Sequence, residues 1–460
     1  MEMLDIKRPD VHTLLRFGNS SELASHLNKM LIGDIIDLIN EEDEENKAII
    51  FNCLSLPLAI KTFKLVELNE QKHLIKSIPE EKAAQVLNDL PADDRTAFFE
   101  ELPSPVVKEL LKLLSNEERT ITLSLLGYPE HSVGRLMSPD YIAVKEDWTI
   151  QQVLDFVREN GHDSETVNVL YVIDDQGKLI DDLRIREVLF VSPDKRVSDI
   201  MDNRFIALAV TDDEEEAIGA FKNNNRFALP VIDAEEILIG IVTIDDVLRL
   251  AEEEGTEDMQ KIGGVQALEE PYMNVPFLKL MQKRAGWLVV LFLGEMLTAT
   301  AMSFFEDEIA KAVILALFIP LIISSGGNSG SQASTLIIRA MALGEVSLKD
   351  WWRIMRREIF SGLFLGMILG SIGFFRIAAW TLFTDLYGVH WILVAFTIFF
   401  SLIGVVLWGT LCGSMLPLFL KKLGTDPAVS SAPFVATLVD VTGLLIYFSI
   451  AVLFFRGTLL

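Results

Sequence analysis

The sequence predicts a multidomain membrane protein: an all-α N-terminal helical solenoid, an α/β tandem pair, a connecting helix and a five-span α-helical transmembrane domain. Three observations predict it. Charge is split between two unlike halves, a proline-marked repeat fills part of the first half, and five long apolar runs fill the second. The 460 residues carry a net charge of −26 although half are hydrophobic. Residues 283–460 hold 12 Lys+Arg and 10 Asp+Glu, whereas residues 1–282 hold 28 and 56. The acidic half excludes electrostatic binding of nucleic acid and should attract cations. Cys53 and Cys412 make no disulfide framework. A polar, charged N-terminus predicts no cleavable signal peptide, so the acidic half is expected in the cytoplasm.

Residues 1–131 read as helix. From Ile78 a repeat is visible: Ile78-Pro79, Leu90-Pro91, Leu102-Pro103, Leu114-Ser115 and Leu126 fall every 12 residues. Proline or serine followed by acids suits a helix N-terminus, so short helices stacked at a fixed period are expected. On residues alone, Asp93 and Asp94 belong to such a first turn.

Residues 132–255 change to β-rich runs at 167–173, 205–210, 228–232 and 238–242, separated by helical patterns. Two similar units are visible, the first with Leu136-Met137-Ser138-Pro139 and Gly177–Leu189, the second with Ile200-Met201-Asp202 and Gly240–Val247. They resemble a tandem pair of CBS domains, 132–196 and 197–255. In that family a Ser/Thr and an Asp three residues later hold a ribose and phosphate. Thr243 and Asp246 match in the second unit, while the first has Arg184 and Glu187 there, with Asp181 where glycine is usual. The resemblance places any ATP site in the second unit; the alternative is a structural dimerisation pair.

The connector at 256–282 is expected to be a plug-like helix, preceded by an acidic run. Five acids, Glu252, Glu253, Glu254, Glu257 and Asp258, stand within seven residues. Such a run is either a solvated face or a holder of Mg²⁺ or Ca²⁺, which favour several carboxylate oxygens.

Residues 283–460 give apolar runs near 285–305, 312–339, 359–383, 390–420 and 431–455, each long enough to cross a bilayer. Lys283-Arg284, the group Lys349 to Arg357, and Lys421-Lys422 mark the first, third and fifth boundaries as cytoplasmic, so the N-terminus is expected inside and the C-terminus outside. The second run reads as broken: Gly326-Gly327-Asn328-Ser329-Gly330-Ser331-Gln332 is a poor lipid-facing surface, and such backbone survives inside protein or beside water. In the fifth run, Ala432, Ala436 and Asp440 recur every four residues with Thr437 alongside. Asp440 lies roughly 14 Å in, where a carboxylate costs about 2.5–3.5 kcal/mol. It is either paired with a cation, for which Arg376 is the candidate within the spans, or it lines a water-filled ion path. Glu295 in the first span either lines that path or pairs with a helix end.

Together, the helical block, CBS pair, acidic connector, five spans, Gly326–Gln332 motif and Asp426-Pro427-Ala428…Ser431…Pro433…Thr437…Asp440 motif resemble MgtE, the bacterial Mg²⁺ channel/transporter family. The resemblance implies a homodimer in the cytoplasmic membrane, with the ion path on its two-fold axis. It implies pore metal ligands at Asp440 and Asp426 and pore lining by Gly326, Gly327, Asn328, Gln332, Ala432, Ala436 and Thr437. It also implies closure by cytosolic Mg²⁺, with sensor ligands at Asp93, Asp212, Glu214, Asp246, Glu254, Glu257 and Asp258; Arg249, Ala97 and Asn225 depart from acidic family positions. The implied role is Mg²⁺ transport and magnesium homeostasis. The rivals are transport of another divalent ion such as Co²⁺ or Mn²⁺, and a membrane-anchored nucleotide or cation sensor without transport. The pore residues include no thiolate or imidazole, which disfavours a soft metal. An enzyme is not expected, since no Walker loop, nucleophile elbow or zinc spacing occurs.

Overall fold

In the computed structural model, residues 11, 14–15, 20–268, 272–273, 275–306, 309, 313–384 and 387–456 are described. Part of the connector, and parts of the loops expected outside the membrane at 306–311 and 384–390, lie beyond them. The chain divides into two compact units, residues 1–251 and 252–460.

In the first unit the repeat runs further back than proline marks it. Helices begin at Ser20, Ile32, Glu44, Leu56, Leu68, Glu80, Ala92, Ser104 and Asn116, a twelve-residue period held from the first of them to the last. Helices this short leave most of their terminal groups without internal partners, and the repeat supplies partners at fixed offsets. Asp43 accepts from Asn46 N at 2.9 Å and Ser115 from Glu118 N at 3.1 Å. At the other ends, Gln71 donates to Phe63 O (2.8 Å), Arg95 to Leu87 O and Leu90 O (3.1 and 2.9 Å), and Arg119 to Leu111 O and Leu114 O (2.7 and 3.1 Å). These three side chains stand 24 residues apart, two repeats each. Arg95 is wholly buried and reaches Thr122 Oγ1 and Glu118 as well. The core between the helices is continuous, from Leu23 and Leu27 through Phe51 and Phe63 to Phe99 and Leu114.

Two three-stranded sheets follow. Strand β1 (Ala143–Val144) runs parallel to β2 (Val169–Ile173), which pairs antiparallel with β3 (Leu179–Arg184); β4 (Leu208–Ala209), β5 (Ala228–Ile232) and β6 (Leu238–Thr243) repeat the pattern. The units interlock: Val133 and Gly134 donate to Asp212 O and Val210 O, and Ser138 exchanges bonds with Ile241. Asp181 faces inward and accepts from the amides of Asp202 and Asn203 at 2.9 and 3.0 Å, so this non-glycine residue ties down the link into the second unit. The helical part of the connector is the end of a longer helix, Ile244–Ile262, that begins inside the second CBS unit; the next helix starts at Phe277.

Five helices in the second unit are long and apolar enough to cross a membrane: Phe277–Phe304, Val313–Ala342, Leu348–Trp380, Gly388–Lys422 and Ala432–Phe455, with mean hydropathy from 1.6 to 2.5. The third starts earlier than its apolar run, because Trp351–Arg357 continue the helix. The second corrects the expectation of a broken span. Its interruption lies at Leu317–Phe318, and Ile319–Ala342 is regular helix through all the glycines. A side chain at Gly326 would collide with Val405 and Val439, and one at Gly330 with Val435 and the Gly409 backbone. Glycine there permits backbone contact with the fourth and fifth spans, and that packing outweighs its weak helix propensity.

Candidate functional site

The fifth span rests on the second through its small face. Ser431 caps it, accepting from Phe434 N, and also accepts from Trp287 Nε1 at 3.1 Å. Ser331 Oγ donates to Ala432 O (3.0 Å) and Ser334 Oγ to Ser430 O (2.7 Å), locking the span's start to the second span. Of the residues expected to line a path, Ala432, Ala436, Thr437 and Asp440 are half-buried within this one chain. Gly327 faces them: a methyl group there would stand 3.4 Å from Ala436 Cβ and 3.7 Å from Asp440 Oδ1. Gly326 does not; it is buried in the packing just described. Asn328 and Gln332 are exposed, with Ser324 one turn before them, making a polar stripe on the second span.

Arg376 sits over the Trp380 ring at 5.7 Å. The side chain that meets Asp440 is Glu295, close enough for the two carboxyl groups to interact. The first span runs parallel to the fifth: Trp287 lies against Phe434 (ring centroids 5.8 Å), Gly294 against Thr437, and Phe305 stacks on Phe448 at 4.9 Å. That register places Glu295 beside Asp440.

In the first unit, Asp93, Asp94 and Asp246 come together, with one carboxylate oxygen of each within 4.8 Å of the others; this is the one group of three or more metal-capable side chains among the described residues. Asp93 and Asp94 occupy the first turn of Ala92–Glu100, and Asp246 the first turn of Ile244–Ile262. Asp246 accepts from Thr243 Oγ1 (2.6 Å) and from Arg249 (2.9 Å). Lys64 reaches Asp94 at 2.9 Å, Asp245 at 3.6 Å and Glu165 at 3.9 Å, and Arg249 reaches Asp94 at 3.4 Å. Both oxygens of Asp93 are buried with no hydrogen-bond partner among the described residues. Burial, then repulsion from Asp246 and Asp94, holds the Asp93 carboxyl well above its usual range. Burial raises Asp94 too, and pushes Glu165 up to about 7. A buried, unpartnered carboxyl among like charges suits a hard cation, which binds oxygen ligands.

The other expected sensor residues lie elsewhere. Asp212 accepts from Ala209 N at 2.8 Å, and Glu214 pairs with His131 at 2.7 Å. Ala97 is exposed, and Asn225 ends its helix with φ +49°. Glu254 is half-buried in the Ile244–Ile262 helix. Glu257 and Asp426 both pair with Lys261, and Asp258 lies beside them. Sequence reasoning missed Lys64, Glu165 and Asp245 as parts of the acidic group, and Lys261 between the acids. Asp94 was visible, but helix-dipole pairing explained it without a ligand.

The chain is similar to known proteins over most of its length. A family profile described as a divalent cation transporter matches residues 319–450, one described as the MgtE intracellular N domain matches 30–131, and the CBS domain profile matches 133–194 and 197–253. The magnesium transporter MgtE of Thermus thermophilus is 34% identical over 442 residues, 95% of this chain and 96% of the relative. That of Bacillus subtilis is 27% identical, covering 96% of each. Among solved structures, the cytosolic domain of the Mg²⁺ channel MgtE in complex with ATP is 30% identical with TM-score 0.50, covering 52% of this chain and 98% of that one.

Proposed function

The chain belongs to the MgtE family of magnesium transporters, a multi-pass membrane protein, and we propose that it admits Mg²⁺ along a path beside Asp440 and closes when cytosolic Mg²⁺ fills the Asp93–Asp94–Asp246 group. One observation carries the first part. A carboxyl group at membrane depth lies beside a second carboxyl, flanked by Gly327 and Thr437, on a face that one chain leaves half open. Two copies about a two-fold axis supply at least the two negative charges a divalent ion needs. Mg²⁺ gives up its water reluctantly, and small residues with an adjacent polar stripe leave room for a hydrated ion. Asp426 stands at the cytoplasmic mouth in this reading, with the N-terminus inside and the C-terminus outside, as positive charges at alternate span ends support.

The cytosolic group joins the helical repeat, through Asp93 and Asp94, to the second CBS unit, through Asp246. A cation there favours the closed-up arrangement only by binding it better than the open one, and the unpartnered Asp93 oxygens supply that difference. Thr243 and Asp246 are the ATP-site residues of this reading, supported by the ATP-bound cytosolic domain of a relative. Among the residues that face the path, oxygen donors favour a hard ion over a soft one.

The test is Mg²⁺ uptake into vesicles reconstituted with Asp440→Ala. Uptake is expected to vanish while the dimer stays folded; flux like that of the unaltered protein overturns the path.

A further inference from the structure

Three acids expected to hold divalent ions, Glu257 and Asp258 as sensor ligands and Asp426 as a pore ligand, converge in the second unit around an ammonium group. Lys261 Nζ lies 2.7 Å from Asp426 Oδ2 and pairs with Glu257 one turn back on the same helix. The remaining Asp426 oxygen accepts from Ala428 N at 2.8 Å, which holds the turn leading into the fifth span. Asp258 is half-buried and close enough to Asp426 to be pushed up by it, after burial itself.

The chain beyond Lys261 is fastened to the same place. The helix ends at Gly264 (φ +75°), where Gly264 N donates to Lys261 O and Val265 N to Gln260 O. A methyl group at Gly264 would stand 2.8 Å from Trp287 and 3.4 Å from Pro433, so this glycine is wedged between the first span and the start of the fifth. Gln260 Oε1 accepts from Leu268 N at 2.6 Å, and Gln266 N donates to Lys283 O at 3.2 Å. Residues 257–268 thus form a seated strap with an ammonium-to-carboxylate clasp onto the Asp426 turn.

We infer that Lys261 is a resident cation that positions the end of the connecting helix on the Asp426 turn without any divalent ion. A divalent ion bound through Asp426 Oδ2 and Glu257 would need the place the ammonium holds, so the two exclude each other. The mouth of the path is then held by the chain's own charge, and divalent dependence rests with the Asp93–Asp94–Asp246 group. The clasp stands on its own contacts; its consequence for flux rests on the proposed transport reading.

Hydrogen exchange of the full-length protein in lipid nanodiscs tests it, reading amides 257–268 in chelator and in saturating MgCl₂. The unaltered protein is expected to show equal protection in both. Lys261→Met, which keeps the stem and removes the charge, should exchange roughly five- to tenfold faster there in chelator. MgCl₂ should restore protection, since the vacated carboxylates then take the ion, and Lys261→Arg should stay protected in chelator. Asp426→Asn, which removes the other half of the clasp, should loosen the same amides whatever happens to the lysine variant's folding. Unaltered protection in Lys261→Met, or protection of the parent chain only with Mg²⁺, overturns the clasp. Loosening that MgCl₂ fails to reverse overturns the exclusion of ammonium by dication. Mg²⁺ uptake into vesicles reconstituted with the same variants separates the two readings, because loss of the transport assignment leaves the exchange result untouched.

Discussion

Asp93→Asn probes the cytosolic cation group at its most exposed weakness. The Asp93 side chain is 4% exposed, unpartnered, and within 4.8 Å of its two neighbours' oxygens. At that separation two like charges repel by about 3.5 kcal/mol in an effective dielectric of ~20. Lys64 and Arg249 offset part of this through Asp94 and Asp246. Asparagine keeps the shape and removes the charge. Without divalent ions the helical repeat should therefore hold the second CBS unit more firmly, by about 1–3 kcal/mol. With Mg²⁺ the comparison reverses. An ion at a hundred times its dissociation constant stabilises by about 2.7 kcal/mol, and a tenfold loss of affinity on removing one ligand takes back ~1.4 kcal/mol. Limited proteolysis of the 127–132 link, on the full chain in nanodiscs, reads this equilibrium when cleavage is slow relative to closing. The unaltered chain should be cut about a hundredfold more slowly at that Mg²⁺ level than in chelator. Asp93→Asn should start slower and gain only about tenfold. A variant that is cut faster in chelator, or that keeps the full Mg²⁺ response, refutes the reasoning.

Further outcomes follow from the same contacts. Because burial raises Asp93, Asp94 and Glu165, the last to about 7, their protonated forms favour the folded arrangement. That contribution is full below the ordinary carboxylate range and is lost as pH rises through the raised values. In chelator the 127–132 link should thus be cut faster at about pH 8 than at about pH 6, and Mg²⁺ should protect more at the higher pH; the opposite order would count against the group. Glu295→Gln should raise the external Mg²⁺ needed for half-maximal uptake about tenfold, or ~1.4 kcal/mol, without the complete loss expected of Asp440→Ala. An unchanged concentration dependence would make Glu295 a packing residue.

Much of the arrangement could be read along the chain. The five spans, the twelve-residue spacing after Ile78 and the paired α/β units each follow from local pattern, and the cost of a charge in hydrocarbon singled out Asp440 as the residue to test. The repeat before Ile78 was hidden because its helices start with Ile32, Glu44, Leu56 and Leu68, so no proline announces them. Its sign is the partnering of helix-end carbonyls by Gln71, Arg95 and Arg119, which no run of residues displays. Asp93 and Asp246 were named singly, but Lys64 and Glu165 join them only because the helical repeat and both CBS units converge there. Gly326 and Gly330 misled for a related reason: a poor lipid-facing surface suggested a break, whereas contact with Val405, Gly409 and Val435 keeps them in regular helix.

What the sequence determined alone was therefore what depends on neighbours a few residues away: helix period, strand alternation and span length. What tertiary structure decided was which charge answers which. It seated Lys261 against Asp426, and set Glu295, not Arg376, beside Asp440. The physical reason is that Coulomb energy and desolvation depend on distance through space and on burial, and residues 165 positions apart become partners only when the chain has packed.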